Sequence, residues 1–138
     1  MNTKHYLDTA PFIYWIENHP VYAEKVESYL IDTRLEGDFL VTSVLSFAEY
    51  GVMPERIGRK DLIQSFEELL EDFNFEYLEI SHSIARISFQ LRAKYNFLKS
   101  MDALQLAAAI KSGCATFLTN DKRLMKISEL KVILLDDY

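Results

Sequence analysis

Five short apolar runs alternate along this chain with stretches in which apolar residues recur at helical spacing. The runs are the predicted strands, and each stretch between them is long enough for at least one helix. Strands separated by helices are typical of a parallel sheet covered on both faces. The pattern therefore predicts an α/β fold with three α/β/α layers around a mainly parallel sheet of about five strands: 5–7, 38–43, 75–80, 115–119 and 131–135.

The predicted helices fill the intervals between these strands, and most carry an apolar stripe on one side. We expect a helix near 44–52 that carries Glu49, followed by a loop over 53–58 that contains Pro54. The other predicted helices cover about 12–16, 23–36, 62–73, 84–95 and 100–112.

The last of these helices most constrains the arrangement of the chain. Apolar residues recur at helical spacing at Ala103, Leu106, Ala107 and Ile110, and the small alanines allow a close approach to a sheet. Ser100 is a plausible N-cap, which would place an acid, Asp102, in the first turn. The helix dipole favours a carboxylate there by about 0.3–1 kcal/mol. Asp102 therefore either stabilises the helix start or has a function of its own.

Size and composition indicate one globular domain spanning 1–138. About half of the 138 residues are apolar, and the nine Phe, eight Tyr and one Trp argue against disorder. No apolar run is long enough to span a membrane, and the N-terminus does not resemble a signal peptide. A single cysteine, Cys114, excludes an internal disulfide and favours a reducing, cytoplasmic location.

Charge is unevenly distributed within the net charge of −6. Residues 1–80 contain 6 basic and 16 acidic side chains, a net charge of −10, whereas residues 81–138 contain 9 basic and 5 acidic ones, a net charge of +4. A basic C-terminal part could face a polyanion. The alternative is an ordinary solvated helix face.

Four acids stand at positions where parallel strands would bring them together. Asp8 and Asp121 follow predicted strands, and Glu49 and Asp102 lie on helices that follow strand or loop breaks. Clustered carboxylates repel one another, and a hard divalent cation removes that repulsion. Mg²⁺ or Mn²⁺ suits an all-oxygen site and can activate water beside a phosphoryl group. The alternative is four unrelated surface acids.

The motifs around these acids carry a family resemblance. Tyr6-Leu7-Asp8-Thr9, Ser46-Phe47-Ala48-Glu49-Tyr50, Met101-Asp102-Ala103-Leu104-Gln105-Leu106-Ala107 and Leu118-Thr119-Asn120-Asp121 together resemble the PIN domain, and more narrowly the VapC-type toxins of toxin–antitoxin pairs. The resemblance covers essentially the whole chain, in order.

The resemblance implies a Mg²⁺- or Mn²⁺-dependent endoribonuclease that forms a homodimer and is inhibited by a cognate antitoxin. Asp8, Asp102 and Glu49 would hold metal directly or through water, and Asp121 would hold a second metal or orient a ligand water. Thr9 and Asn120 would support the site. In the family's reaction a metal-activated water attacks an RNA phosphodiester in line; whether one or two ions act is open.

Basic side chains near the acids are candidate phosphate contacts. They could instead balance local acids. The aromatic group Phe12, Tyr14 and Trp15 is expected to be mostly core, with a partner or dimer surface as the alternative. The candidate RNA-binding residues are Arg92, Lys94, Lys99, Lys122 and Arg123.

Other chemistries lack the necessary residues. The three histidines are scattered and the single cysteine has no partner, so a zinc site is not expected. No Gly-rich phosphate loop and no serine or cysteine nucleophile at a recognisable spacing to histidine is present. Three alternatives remain: a PIN-type nuclease in RNA maturation or turnover without an antitoxin, a receiver-like signalling module, and a metal-binding module without catalysis. Asp8-Thr9 lacks the acidic pair expected of a receiver.

Overall fold

The computed structural model describes residues 2–138 as a five-stranded, fully parallel sheet with helices on both faces. This confirms the predicted three-layer α/β/α fold. The strands are β1 (Lys4–Leu7), β2 (Phe39–Ser43), β3 (Glu76–Leu78), β4 (Thr116–Thr119) and β5 (Lys131–Leu134).

Seven α-helices connect the strands within the described residues, and two short 3₁₀ turns cover Lys122–Lys126 and Leu135–Asp137. No helix in this part of the chain has both the length and the apolarity needed to cross a membrane. The α-helices are α1 (Thr9–Ile16), α2 (Tyr22–Leu35), α3 (Val44–Tyr50), α4 (Val52–Arg56), α5 (Lys60–Asp72), α6 (His82–Lys94) and α7 (Ser100–Lys111).

The strands divide the core into two parts because successive side chains point to opposite faces of the sheet. Tyr6 of β1 and Phe117 of β4 stack, with ring centroids 5.2 Å apart, on the face covered by α6 and α7. Their neighbours Leu7 and Leu118 point to the other face, which α1, α2, α3 and α5 cover. The sheet is therefore buried on both sides, as its nearly continuous apolar strands require.

The strand order is β3-β2-β1-β4-β5, so the winding of the chain reverses between β1 and β4. The chain moves outward in one direction from β1 to β3 and then continues on the other side of β1 with β4 and β5. In open α/β sheets, ligand sites lie beyond the carboxyl ends of the strands at such a reversal. The fold thus directs attention to the segments that follow β1 and β4.

Two sequence predictions were wrong in detail. The predicted loop over 53–58 is mostly helix α4, which follows α3 after Gly51. Pro54 is compatible with it because it lies in the first turn, where a missing N–H breaks no helical hydrogen bond. Ser100 is the first residue of α7 rather than its N-cap: the extended residue is Lys99, whose carbonyl accepts the first helical hydrogen bond, from Ala103, at 3.0 Å.

Candidate functional site: an acidic cluster at the strand reversal

All four predicted acids lie on segments that meet at the carboxyl edge of the sheet. Asp8 directly follows β1 and Asp121 follows β4 by two residues, on the two strands that flank the reversal. Glu49 projects from α3, which follows β2 directly, and Asp102 lies in the first turn of α7. The Asp8 amide donates to the Leu118 carbonyl at 3.0 Å, which ties the two strand ends together.

Asp8 is the most strongly perturbed of the four acids. Its Oδ1 accepts a hydrogen bond from the Thr9 amide at 2.8 Å, and its Oδ2 accepts one from the Thr119 hydroxyl at 2.8 Å. Burial raises the pKa of Asp8 to about 6 despite these donors, and the charges of Glu49 and Asp102 add to the increase. The Asp8 side chain therefore bears charge at a cost that a nearby cation would relieve.

Glu49 is held by two donors on a single oxygen. Its Oε1 accepts from the Thr9 hydroxyl at 2.6 Å and from the Gln105 amide at 3.0 Å. The residue is exposed at the surface, whereas Thr9 and Gln105 are buried. One oxygen of Glu49 is thus anchored to the protein, and Oε2 has no hydrogen-bond partner among residues 2–138.

Asp102 and Asp121 share one guanidinium. Arg123 NH2 lies 2.6 Å from Asp121 Oδ2 and 3.7 Å from Asp102 Oδ2. Hydrogen bonds from Arg123 lower the pKa of Asp121, whereas burial and the neighbouring charge of Asp121 raise the pKa of Asp102. One positive charge of the protein therefore already lies against two of the four acids.

The donor chemistry of the cluster fits a hard divalent cation, although the side chains are not arranged as a finished metal site. The available ligands are carboxylate and hydroxyl oxygens, the type that Mg²⁺ and Mn²⁺ prefer. Within residues 2–138, no three His, Cys, Asp or Glu side chains form a preassembled metal-binding group. The carboxylates are instead hydrogen-bonded or ion-paired to threonine, glutamine and arginine donors, which occupy part of their capacity to bind a metal.

The predicted supporting residues, Thr9 and Asn120, have different environments. Thr9 connects Gln105 to Glu49 by accepting from the former at 2.9 Å and donating to the latter. The Asn120 amide lies 3.4 Å from the Tyr14 hydroxyl, and its buried Oδ1 has no hydrogen-bond partner among the described residues. Thr9 is therefore part of the acidic cluster, whereas Asn120 packs between the cluster and the aromatic side chains of α1 and α2.

The basic side chains divide into three groups. Lys94 pairs with Glu129 at 3.0 Å, away from the acids, and Arg92 is exposed on the same helix. Arg123 is engaged with the acids, and Lys99 lies close enough to lower the pKa of both Asp102 and Asp121. Lys122 is exposed beside Asp121. Lys99, Lys122 and Arg123 are thus near the cluster, and the structure places Lys94 in a local ion pair.

The aromatic group on α1 is largely core. Phe12 is fully buried against Phe66, with ring centroids 4.5 Å apart. Trp15 is half-buried and meets Phe73 edge to face at 5.5 Å, and Tyr14 is half-buried against Tyr22 at 4.7 Å. These contacts favour the core interpretation over a partner surface for most of the group.

Two buried residues of the cluster were missed by the sequence reasoning. Gln105 and Tyr6 lie beneath Thr9 and Glu49 and join them to the sheet. Gln105 is three residues after Asp102, on an alanine-rich helix whose other inward positions are apolar. An amide at such a position must find hydrogen-bond partners, and this was the signal in the sequence that could have identified it. Tyr6 gives no such signal, because an aromatic residue in a strand is ordinary core.

An apolar groove borders the cluster on the side of Glu49. Its walls come from α1, α3, α4 and the start of α5, and it includes Ile13, Tyr50 and Leu62 beside Glu49. Met53 and Ile57 at its rim are 55% and 59% exposed. Large apolar side chains exposed together at the edge of a site are typical of surfaces that bind another chain.

Comparisons with known proteins agree on the fold. The family profile described as the PIN domain matches residues 5–130. The comparison with curated proteins gives no significant match.

Similar solved structures cover nearly the whole chain. A crystal structure of VapBC2 from Rickettsia felis bound to a DNA fragment from their promoter has a TM-score of 0.78 at 20% identity, over 96% of this chain and 98% of that one. DNA-bound VapBC from Salmonella typhimurium has a TM-score of 0.76 at 19% identity, over 96% and 98%. A toxin-antitoxin complex from Klebsiella pneumoniae has a TM-score of 0.69 at 22% identity, over 95% and 97%.

Proposed function

We propose that this chain, which belongs to the PIN domain family, is a divalent-metal-dependent endoribonuclease that acts as the toxin of a toxin–antitoxin pair. The observation that carries the proposal is the meeting of Asp8, Glu49, Asp102 and Asp121 at the strand reversal, where burial, together with the charges of neighbouring acids, raises the pKa of Asp8 and Asp102. Folding alone does not favour such a cluster. A cation-dependent reaction on an anionic substrate explains it.

In this proposal Asp8, Glu49 and Asp102 hold Mg²⁺ or Mn²⁺ directly or through water, and Asp121 holds a second ion or orients a water. A bound ion of this type activates water and stabilises charge on a phosphoryl oxygen. The protein's own contribution is to fix the carboxylates: Thr119 and the Thr9 amide orient Asp8, and the Thr9 hydroxyl orients Glu49.

Arg123 is the side chain that we expect to move on metal binding. Its guanidinium lies against both Asp121 and Asp102, and it would have to leave them for these two carboxylates to hold a dication. Once released, Arg123 lies beside the exposed Lys122 and can bind substrate phosphate. The rearrangement therefore couples metal loading to the appearance of a phosphate-binding side chain.

Removing a carboxylate charge tests the reaction directly. We expect Asp8→Asn and Asp102→Asn each to abolish Mg²⁺-dependent cleavage of a labelled RNA, because the metal ligands lose their charge while the shape of the side chain is kept. Circular dichroism should remain that of the wild type. Asp72→Asn, a change to an exposed acid at the end of α5, is the matched control and should cleave normally. Full activity of either site variant would refute the proposed mechanism.

The toxin role has two lines of support. The similar structures include a toxin-antitoxin complex and two VapBC structures, and the apolar groove beside Glu49 offers a surface for an inhibitory chain. We expect expression of the wild type to arrest bacterial growth and Asp102→Asn to be harmless. The product of a small neighbouring gene should restore growth and should bind the purified protein. Harmless expression of an active nuclease would favour an RNA maturation enzyme.

The homodimer implied by the family resemblance stays a prediction. Light scattering coupled to gel filtration measures the molar mass in solution, and the mass of a dimer should be twice the 16.1 kDa of the chain. A mass of one chain at micromolar concentration would contradict it.

A further inference from the structure

A buried amide stands at the centre of the hydrogen bonds below the acidic cluster. Gln105 is 1% exposed and lies on α7 among Ala103, Leu106 and Ala107, which are completely buried. Its Oε1 lies 2.6 Å from the Tyr6 hydroxyl, and its Nε2 lies 2.9 Å from Thr9 Oγ1 and 3.0 Å from Glu49 Oε1. Every polar atom of this amide has a partner.

The direction of these hydrogen bonds follows from the chemistry of the partners. Glu49 Oε1 can only accept when ionised, so the Gln105 amide and the Thr9 hydroxyl both donate to it. Thr9 Oγ1 therefore accepts from Gln105, and Gln105 Oε1 accepts from Tyr6. The Tyr6 hydroxyl in turn accepts from Ser43, which lies 2.8 Å away. The chain of donors runs from the end of β2 to one oxygen of Glu49.

We propose that Gln105, held in place by Tyr6, is a positioning residue that anchors the Glu49 carboxylate through Oε1 and leaves Oε2 available to a metal ion. This inference rests on the proposed function. Two donors converge on Oε1, and Oε2 accepts no hydrogen bond among residues 2–138. Glu49 is otherwise an exposed side chain on a seven-residue helix, with several rotamers open to it.

Packing does not account for the amide. Leucine has a similar size and would complete the apolar face of α7 with no polar group to satisfy. A buried amide is retained at no cost only if each of its groups finds a partner, and here the donor end is directed wholly to Thr9 and Glu49. Partners that orient metal ligands typically change metal affinity 10–100-fold when removed.

The affinity for a metal ion in the absence of RNA distinguishes the two roles of Gln105, because a purely structural role would leave this affinity unchanged. We expect Gln105→Leu to weaken Mn²⁺ binding, measured by isothermal titration calorimetry, by about tenfold or more. In a Glu49→Ala background the same substitution should have no further effect, because the carboxylate that it orients is gone. This double-mutant cycle isolates the part of the effect that acts through Glu49.

The tyrosine below Gln105 has a matched control in Tyr29 of α2, whose hydroxyl also bonds to a residue of the sheet. Tyr6→Phe releases Gln105 Oε1 and should weaken Mn²⁺ binding by a smaller factor than Gln105→Leu. Tyr29→Phe removes the hydroxyl of another buried tyrosine, which pairs with Thr116 at 3.2 Å at the start of β4, the opposite end of the strand from the acids. It should lower the melting temperature to a similar degree and leave Mn²⁺ affinity unchanged.

Loss of folding need not obscure the result. Gln105→Leu leaves the buried Tyr6 hydroxyl with Ser43 as its one remaining partner among the described residues, so the double variant Tyr6→Phe/Gln105→Leu removes both groups and should recover part of the melting temperature. Recovery of the fold without recovery of Mn²⁺ affinity supports the positioning role. Recovery of both would overturn it and assign the amide to stability alone.

The remaining outcomes separate this inference from the proposed function. Unchanged Mn²⁺ affinity in Gln105→Leu, with weaker binding in Glu49→Ala and Asp8→Asn, would refute the positioning role and leave the metal site standing. An equal loss from Gln105→Leu with and without Glu49 would also refute it. If Glu49→Ala and Asp8→Asn left the Mn²⁺ affinity unchanged, or if the wild type did not bind Mn²⁺, the proposed function and this inference would both be refuted.

Discussion

At the scale of single residues, the Arg123 guanidinium pairs with Asp102 and Asp121, two acids that would bind metal in the proposed reaction. Arg123 donates to Asp121 through Nε and Nη2 and lies near Asp102 as well, so the protein supplies a counterion to both acids. Because the Arg123 side chain is 45% exposed, each contact is a surface ion pair that solvent screens. A dication can therefore replace Arg123 at these acids. The competition between the two cations lowers the apparent affinity of the protein for the metal.

Two neighbouring basic residues should therefore respond differently to truncation. We expect Arg123→Ala to tighten Mn²⁺ binding about two- to fivefold, because the ion no longer competes with the guanidinium, and to weaken RNA binding. Lys122→Ala should leave Mn²⁺ affinity unchanged and reduce the slope of log K against log salt for RNA by up to about one unit. Calorimetry and fluorescence anisotropy measure the two effects. Weaker Mn²⁺ binding in Arg123→Ala would show that the arginine assists the metal.

At the scale of elements, junctions between strands and helices hold much of the site. Asp8 is both the residue after β1 and the N-cap of α1, and Ser43 is both the last residue of β2 and the N-cap of α3. Each junction directs a polar side chain to the carboxyl edge while satisfying a free helix N–H. The α7 start differs, since Lys99 at its N-cap offers no side-chain acceptor.

The uncapped start of α7 predicts a stabilising substitution. Lys99→Ser should raise the free energy of unfolding by about 0.5–1 kcal/mol, because serine at an extended N-cap position accepts a hydrogen bond from the first turn. Loss of a positive charge near Asp102 and Asp121 offsets part of the gain. Urea unfolding measures the change.

Removing the existing N-cap of α6 is the control for adding one to α7. Ser81 Oγ accepts from the Ile84 amide at 3.2 Å, so Ser81→Ala should lower the free energy of unfolding by about 1 kcal/mol. A neutral or destabilising Lys99→Ser would show that the charge of Lys99 outweighs the missing cap.

At the scale of the whole molecule, the acidic cluster makes stability depend on pH. The folded pKa of Asp8, about 6, lies above its ordinary value of 3.8, so the folded state binds a proton more tightly than the unfolded state. Stability from this residue is therefore present below about pH 4 and is lost as pH rises to about 6. At about 1.4 kcal/mol per pKa unit the loss amounts to roughly 3 kcal/mol.

Asp8→Asn should remove this dependence. The free energy of unfolding of the variant minus that of the wild type should be larger at pH 7 than at pH 4 by about 2–3 kcal/mol. Urea unfolding of both proteins in metal-free buffer measures this difference. Mn²⁺ should stabilise the wild type, most strongly above pH 6, because the bound ion needs the ionised carboxylate. Parallel pH profiles for the two proteins would contradict the proposed burial of charge at Asp8.

The predictable part of this protein is local. The strands, most of the helices and the positions of Asp8, Glu49, Asp102 and Asp121 at strand ends or on the following helices follow from hydrophobic period and breaks. The errors at Pro54 and Ser100 are also local, because one residue type fits several neighbouring positions at a helix start. The relation of Asp8 to Asp121, by contrast, was an inference from the expected parallel sheet.

The amino-acid sequence by itself determined the elements, their layered packing and the acids, because periodicity and capping act over a few residues. Only the tertiary structure decided that β4 lies beside β1, that Gln105 reaches Glu49 across 56 positions of the chain and that Arg123 spans two acids. These relations depend on strand order and on single rotamers. Strand order and rotamers are set by the simultaneous packing of distant segments, which no local pattern encodes.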